Sequence, residues 1–237
     1  MQQSTSYTAR RSEVEAYFDR TAAETWKRLT SDAPVSGIRA TVRAGRDEMR
    51  ATLLGWLPAD LTGKRLLDAG CGTGMLSLEA ARRGAEVTAV DLSPTLVENA
   101  RERLPAEFAG QVDFLVGDML ASGGPTAAAH FDYVVSMDSV IHYERADALG
   151  AIAGLASRAT ERCLFTFAPR TPLLALMHAV GQWFPRGDRS PAIVPVAERT
   201  LRRGIEAKLG PQGWQVGRTR LIQRGFYTSQ AMELIGP

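Results

Sequence analysis

Lysine, cysteine and histidine are all scarce in this 237-residue chain, and each scarcity removes a class of explanation. Cys71 and Cys163 are the only cysteines. Two are too few for a disulfide framework, and both fall in segments that read as core, so a reducing cytoplasm is the expected compartment. No cluster of His, Cys and Asp has ligand spacing, so no metal site of the chain's own is expected. Only Lys27, Lys64 and Lys208 among the 28 basic residues are lysine. Nucleotide bias in the gene is the plain reading; the functional one is that some guanidinium forks hold carboxylates or phosphates. A net charge of +2 lacks the basic excess of a nucleic-acid binder, so no nucleic-acid partner is expected. Long apolar runs are missing too. The longest, Pro172 to Phe184, is about 13 residues and is interrupted by His178, Gly181 and Gln182, whereas a membrane span needs about 20. Arg10-Arg11 is followed by Ser12-Glu13-Val14-Glu15 rather than an apolar segment, so no export is expected.

Hydrophobic content of 45% and charged content of 23% are enough for one sizeable core with additions. The first part, residues 1–57, reads as a helical arm. Glu13 to Leu29 and Ile38 to Leu57 carry apolar residues at helical spacing, and Arg39, Arg43, Arg46 and Arg50 form a stripe on the second helix. That stripe is a solvated face or a cationic wall for an acidic ligand. From residue 58 the pattern becomes strand-helix alternation, with strands at Arg65–Ala69, Glu86–Val90, Val112–Val116, Phe131–Ser136 and Arg162–Phe167. Such alternation predicts right-handed βαβ units and a mostly parallel, doubly wound α/β sheet. Trp214–Leu221 and Gly225–Leu234 read as an antiparallel edge hairpin. Residues 168–195 hold five prolines, Pro169, Pro172, Pro185, Pro191 and Pro195, and read as a lid or substrate insertion after the fifth strand.

The strongest local signal is Asp68-Ala69-Gly70-Cys71-Gly72-Thr73-Gly74 between a strand and a helix. Glycines there allow a tight turn and close approach of a ligand, and the helix start offers free N–H groups. The third glycine comes one residue earlier than in the dinucleotide fingerprint G-x-G-x-x-G. Asp68 beside the loop would repel a pyrophosphate but suits a ligand carrying an ammonium. Asp91 follows Gly70 by 21 residues, where an acid grips ribose hydroxyls. In these features the chain resembles the class I methyltransferases, whose first motif is Asp-x-Gly-x-Gly-x-Gly. The resemblance implies a Rossmann-like fold and S-adenosyl-L-methionine as cofactor, bound by Asp68, Gly70, Cys71, Gly72, Thr73, Gly74, Asp91, Leu92, Asp118, Met119 and Met137. It places Asp118 at the adenine amino group and Met119 on the ring.

More specific are Met137-Asp138-Ser139-Val140-Ile141-His142-Tyr143, Phe167-Ala168-Pro169-Arg170-Thr171-Pro172 and Phe184-Pro185-Arg186-Gly187-Asp188-Arg189-Ser190-Pro191. With Arg224-Gly225-Phe226-Tyr227-Thr228-Ser229-Gln230, Tyr17-Phe18-Asp19 and Trp26-Lys27-Arg28-Leu29, they make the chain similar, end to end, to the magnesium-protoporphyrin IX methyltransferases of chlorophyll and bacteriochlorophyll synthesis. One departure is Thr30, where relatives are expected to carry a tyrosine. The resemblance implies esterification of a porphyrin propionate, with magnesium-protoporphyrin IX as partner. It also raises a peripheral photosynthetic membrane and the upstream magnesium-insertion enzyme as partners to test.

A carboxylic acid with a pKa of about 4–4.5 is ionised at neutral pH, so this nucleophile needs no general base. His142 is therefore first an orienting group for the propionate; acting as a proton acceptor, touching the porphyrin magnesium or merely packing remain open. Tyr143 is the second catalytic candidate and has a stronger claim to packing. Asp138, Arg170, Arg186, Arg189, Trp183 and Phe184 are the expected substrate-binding residues, the arginines for propionates and the aromatics for the macrocycle. A methyltransferase acting on another small aromatic, such as a quinone precursor, shares the cofactor motifs and is the nearest rival. A dinucleotide-dependent oxidoreductase and a non-catalytic porphyrin carrier are the rivals from other classes.

Overall fold

Five short apolar runs build the parallel part of a seven-stranded sheet: β1 (Arg65–Ala69), β2 (Glu86–Asp91), β3 (Val112–Val116), β4 (Phe131–Ser136) and β5 (Ala159–Phe167). Strands β6 (Gln215–Arg224) and β7 (Tyr227–Ile235) complete it, in the order β3-β2-β1-β4-β5-β7-β6. The computed structural model describes residues 5–17, 19, 37–121, 126, 130–170 and 192–237. The chain runs outward from β1 to β3, then returns to the other side of β1 with β4. The switch point between β1 and β4 is where open α/β sheets bind ligands, beyond the carboxyl ends of the strands. Register brings those ends level, with Ala69 beside Val90 and Asp91 beside Val116.

Helices α1 (Thr5–Tyr17), α2 (Gly37–Gly55), α3 (Met75–Arg82), α4 (Pro94–Arg103), α5 (Arg145–Ala156) and α6 (Glu198–Leu209) cover both faces. Met49, Leu53 and Leu54 of α2 share one core with Leu76 and Ala80 of α3 and Val97 and Ala100 of α4. On the other face Ile152 and Leu155 of α5 pack with Leu201, Ile205 and Leu209 of α6. Pro94 opens α4 where its missing N–H does no harm, and Ser93 caps it by accepting from the Leu96 N–H at 3.3 Å.

Several boundaries depart from the sequence reading. The first helix starts at Thr5 rather than Glu13 and is described to Tyr17, its expected end at Leu29 lying outside the described residues. Its early turns are polar and lack apolar spacing; what seats them is Tyr7, the buried member of the helix. Phe18 and residues 20–36, with the Trp26–Leu29 run and Thr30, lie outside the described residues, as do the side chain of Ile38 and most of the insertion, 171–191. Strand β5 begins three residues before the expected Arg162, because Ala159 pairs with Phe131 across a register shift. The hairpin is not simply an edge: β7 inserts antiparallel between β5 and β6, leaving β6 as the edge. Its partial alternation follows, since an interior strand is buried on both faces. Glu233, the charged residue in β7, is only 1% exposed and is matched by Arg162 at 2.6 Å and by Arg218 at 2.6 and 2.7 Å. These ion pairs hold its carboxyl below the usual range against the cost of burial. Helix α6 was not anticipated, although Leu201, Ile205 and Leu209 at intervals of four are its legible signature.

Candidate active site

Gly70, Gly72 and Gly74 all adopt positive φ, 84°, 54° and 74°. At Gly70 the requirement is double, because a Cβ would also run into the Ser139 side chain, 2.7 Å from its Cβ. The loop is drawn over β2 by N–H bonds from Gly70 and Cys71 to the Val90 carbonyl, 2.8 and 3.1 Å. Gly74 then caps α3, whose first turn follows directly.

Two carboxylates near this loop line the same cavity. Asp68 is 1% exposed; burial pushes its carboxyl up to about 7, the Asp91 charge adds to this, and the Ser77 hydroxyl, donating at 2.6 Å, opposes it. Burial also raises Asp91, whose two oxygens accept the N–H groups of Gly72 (2.8 Å) and Ser93 (3.0 Å). The Cys71 thiol is pushed far up by burial, so it is no nucleophile at neutral pH. A buried Asp68 carboxyl with its pKa raised by burial, near a second carboxylate, is what an ammonium ligand would relieve, and it is hostile to a pyrophosphate.

At the end of β3, Asp118 accepts from the Tyr7 hydroxyl at 2.8 Å, Arg11 at 3.2 Å and the Leu120 N–H at 2.8 Å. Helix α1 therefore lies across this end of the site. The Tyr7 ring stacks on Tyr143, with centroids 4.8 Å apart at 17°. Burial lifts the Tyr143 hydroxyl to about 12, which removes it as a base near neutrality. His142 is buried on a short 3₁₀ turn, Val140–His142, after β4. The far end of the insertion returns against this turn through Val194 N–H to the Ile141 carbonyl, 2.9 Å.

These groups enclose one cavity of about 450 Å³. It is lined by Asp68, Gly70, Cys71, Gly72, Thr73, Asp91, Leu92, Asp118, Met119, Met137, Asp138, His142 and Tyr143, so the sequence-expected residues converge there. Gly74 is just outside, at the start of α3. Arg43, Arg46 and Arg50 of the α2 stripe also line it, whereas Arg39 is exposed. Arg170 is exposed and its backbone N–H bonds the Val196 carbonyl at 3.1 Å; it is not among the lining residues. Arg186, Arg189, Trp183 and Phe184 lie outside the described residues. Sequence reasoning missed Ser139, Ile141, Tyr227 and Ser229 as wall residues. The hairpin reaches the cavity only because β7 sits beside β5, which no local pattern signals. No group of His, Cys, Asp and Glu among the described residues could hold a metal ion.

A doubly wound sheet with a Gly-x-Gly-x-Gly loop and strand-end carboxylates at the switch point defines a class I methyltransferase. Residues 66–160 match the model of a methyltransferase domain, and residues 136–236 match that of the magnesium-protoporphyrin IX methyltransferase C-terminus. The chain is 46% identical over 228 residues to the magnesium-protoporphyrin O-methyltransferase of Rhodobacter capsulatus, covering 96% of this chain and 97% of that one. It is 31% identical to the enzyme of that name from Synechocystis, covering 94% of each. The crystal structure of magnesium protoporphyrin IX methyltransferase from Synechocystis with bound S-adenosylhomocysteine superposes with a TM-score of 0.81 at 30% identity, covering 95% of this chain and 99% of that one. The chain belongs to the magnesium-protoporphyrin IX methyltransferase family.

Proposed function

We propose that the protein transfers a methyl group from S-adenosyl-L-methionine to one propionate of magnesium-protoporphyrin IX, giving the monomethyl ester. Bound in the cavity, the cofactor supplies an electrophilic sulfonium methyl. The observation that carries the reading is buried Asp68 with Asp91 at the glycine loop, in a cavity that His142 also lines. Asp68 receives the ammonium and Asp91 the ribose hydroxyls, while Asp118 and Met119 frame the adenine. The cavity lies within the range of about 300–1,000 Å³ typical of small-molecule sites, and a cofactor of this size fills most of it. The macrocycle then rests at the mouth, where Ile193 and Phe226 are 39% and 62% exposed. The family resemblance assigns further macrocycle contact to Trp183 and Phe184 and further cations to Arg186 and Arg189, all of which lie outside the described residues.

Opposite charges on carboxylate and sulfonium cancel during transfer, so the site must strip water and align the reacting atoms rather than move a proton. Alignment of this kind contributes about 7–11 kcal/mol. His142 orients the propionate oxygen; Tyr143, stacked on Tyr7, forms the wall that fixes the turn bearing it. His142→Gln should lower kcat by about 10²-fold while leaving kcat flat with pH, because no base is needed. A quinone-precursor methyltransferase would instead need a base for its hydroxyl or carbon acceptor, and His142 would then set a steep pH dependence. The test is transfer of labelled methyl to magnesium-protoporphyrin IX beside metal-free protoporphyrin and a quinone precursor. A base-labile porphyrin ester supports the reading, and label on the quinone precursor alone overturns it. No helix of the described residues is long and apolar enough to cross a membrane. A peripheral encounter with a pigment membrane and with the magnesium-inserting enzyme belongs to the same proposal, and co-sedimentation with vesicles reads the first directly.

A further inference from the structure

Beyond the carboxylates at the glycine loop and at the end of β3, the cavity is lined by Asp138, in the turn after β4. Its backbone is left-handed, φ 55°, a conformation that strains a non-glycine residue and tends to survive at functional positions. The side chain gathers donors from three elements. Arg46 of α2 donates at 2.6 Å, Thr166 of β5 at 3.1 Å, and Tyr227 and Ser229 of β7 at 3.1 Å each. The Asp138 N–H in turn donates to the Thr166 hydroxyl at 2.7 Å. A carboxylate has about four lone-pair sites, and here they are occupied from inside the protein. An anionic acceptor entering the cavity therefore meets, at this end, the Arg46 guanidinium that Asp138 holds in place. Arg43 and Arg50, on neighbouring turns of α2, line the same wall.

Which acceptor carboxylate this cation suits follows from charge. The reacting carboxylate loses its charge as the methyl is transferred, so an arginine bonded to it would favour the ground state over the transition state and slow the reaction. On a carboxylate that keeps its charge throughout, the same ion pair is equal in both states and shows in KM. We propose that Arg46, oriented by Asp138 as a positioning residue, binds the acceptor carboxylate that is not methylated, so that the site reads a dicarboxylate. This inference rests on the porphyrin-propionate reading above.

The test compares the full-length wild type with Arg46→Met and Asp138→Asn; asparagine tolerates the left-handed backbone while removing the charge and one of the two acceptor oxygens. With S-adenosylhomocysteine present, fluorescence quenching gives the affinity for the monomethyl and the dimethyl ester of magnesium-protoporphyrin IX. These differ only in the carboxylate assigned to Arg46. The wild type should prefer the monoester by about 10- to 100-fold, the size of one charge-assisted hydrogen-bonded pair. Arg46→Met should erase that preference and raise KM for the diacid by a similar factor while kcat changes far less. Asp138→Asn should move both in the same direction by less. S-adenosylhomocysteine affinity within about threefold of wild type reports an intact cofactor half. Equal affinity of the wild type for both esters overturns the proposal whatever the variants do, as does a preference that survives in Arg46→Met. Absence of any porphyrin binding or methylation by the wild type, with S-adenosylhomocysteine still bound, overturns the porphyrin reading and this inference with it.

Discussion

Asp68 carries the clearest single-residue consequence. Its carboxyl is raised from 3.8 to about 7 by burial, so in the ligand-free protein it is substantially protonated at neutral pH. An ammonium ligand selects the charged form, so binding expels a proton whenever the pH lies below about 7. Cofactor affinity should therefore fall as pH drops through 7, by up to about tenfold per unit, and level off above it. Stability of the ligand-free protein runs the opposite way. A carboxyl whose folded pKa is raised favours folding as pH falls from 7 toward 4. Calorimetric titration with S-adenosylhomocysteine between pH 5.5 and 8.5 checks this. In Asp68→Asn affinity should be about 10- to 100-fold weaker and its slope lost; a wild-type affinity flat with pH would refute the assignment. Gly70, Gly72 and Asp68 are legible in the sequence because they adjoin in the chain, and Asp91 because its spacing of 21 residues from Gly70 is that of one strand-helix-strand unit. Arg46 was legible only as one of a stripe, since its partner Asp138 is 92 positions further on.

Between elements, a close seam joins α2 to the β6–β7 hairpin. A Cβ on Gly45 would lie 2.7 and 2.8 Å from Cγ and Cβ of Tyr227, and Gly225, at φ 57°, turns the hairpin against Thr41. Glu48 of α2 adds ion pairs with Arg220 at 3.0 Å and Arg224 at 2.7 Å, but both arginines are exposed and contribute little. Two effects compete in Gly45→Ala. Alanine gains about 1 kcal/mol of helix propensity over glycine, while overpacking against a buried ring costs about 1–3 kcal/mol. Tyr227 is braced by its bonds to Asp138 and cannot swing away, so the clash should win. A lower urea midpoint, together with a raised KM for the porphyrin, is the expected outcome; an unchanged or higher midpoint would show that the seam gives. The helix–strand alternation was readable here because each element needs only its own periodicity. The insertion of β7 between β5 and β6 was not, because buried-interior and edge strands differ in their neighbours more than in their residues.

At the scale of the molecule, both halves of the sheet converge on one cavity, and ligand binding should stabilise the whole. S-adenosylhomocysteine at about 100 times its Kd adds about 2.7 kcal/mol. For a chain of this size that raises Tm by about 5–10 °C. NAD should produce no shift, because the early third glycine and Asp68 oppose a pyrophosphate at the glycine loop. Thermal melts with each ligand read this directly, and stabilisation by NAD alone would return the chain to the dinucleotide-dependent oxidoreductases.

By itself the sequence determined the parallel core, the order of the glycine loop and its acids, and the family, because these rest on short segments whose spacing is the chemistry. Only the tertiary structure decided which cations face the acceptor. It set Arg43, Arg46 and Arg50 on the cavity wall and left Arg170 in solvent. It likewise joined Asp138 to α2, β5 and β7, and laid Tyr7 over Asp118. Such choices depend on which distant elements pack together, and a charged side chain carries no local mark of the partner that will hold it.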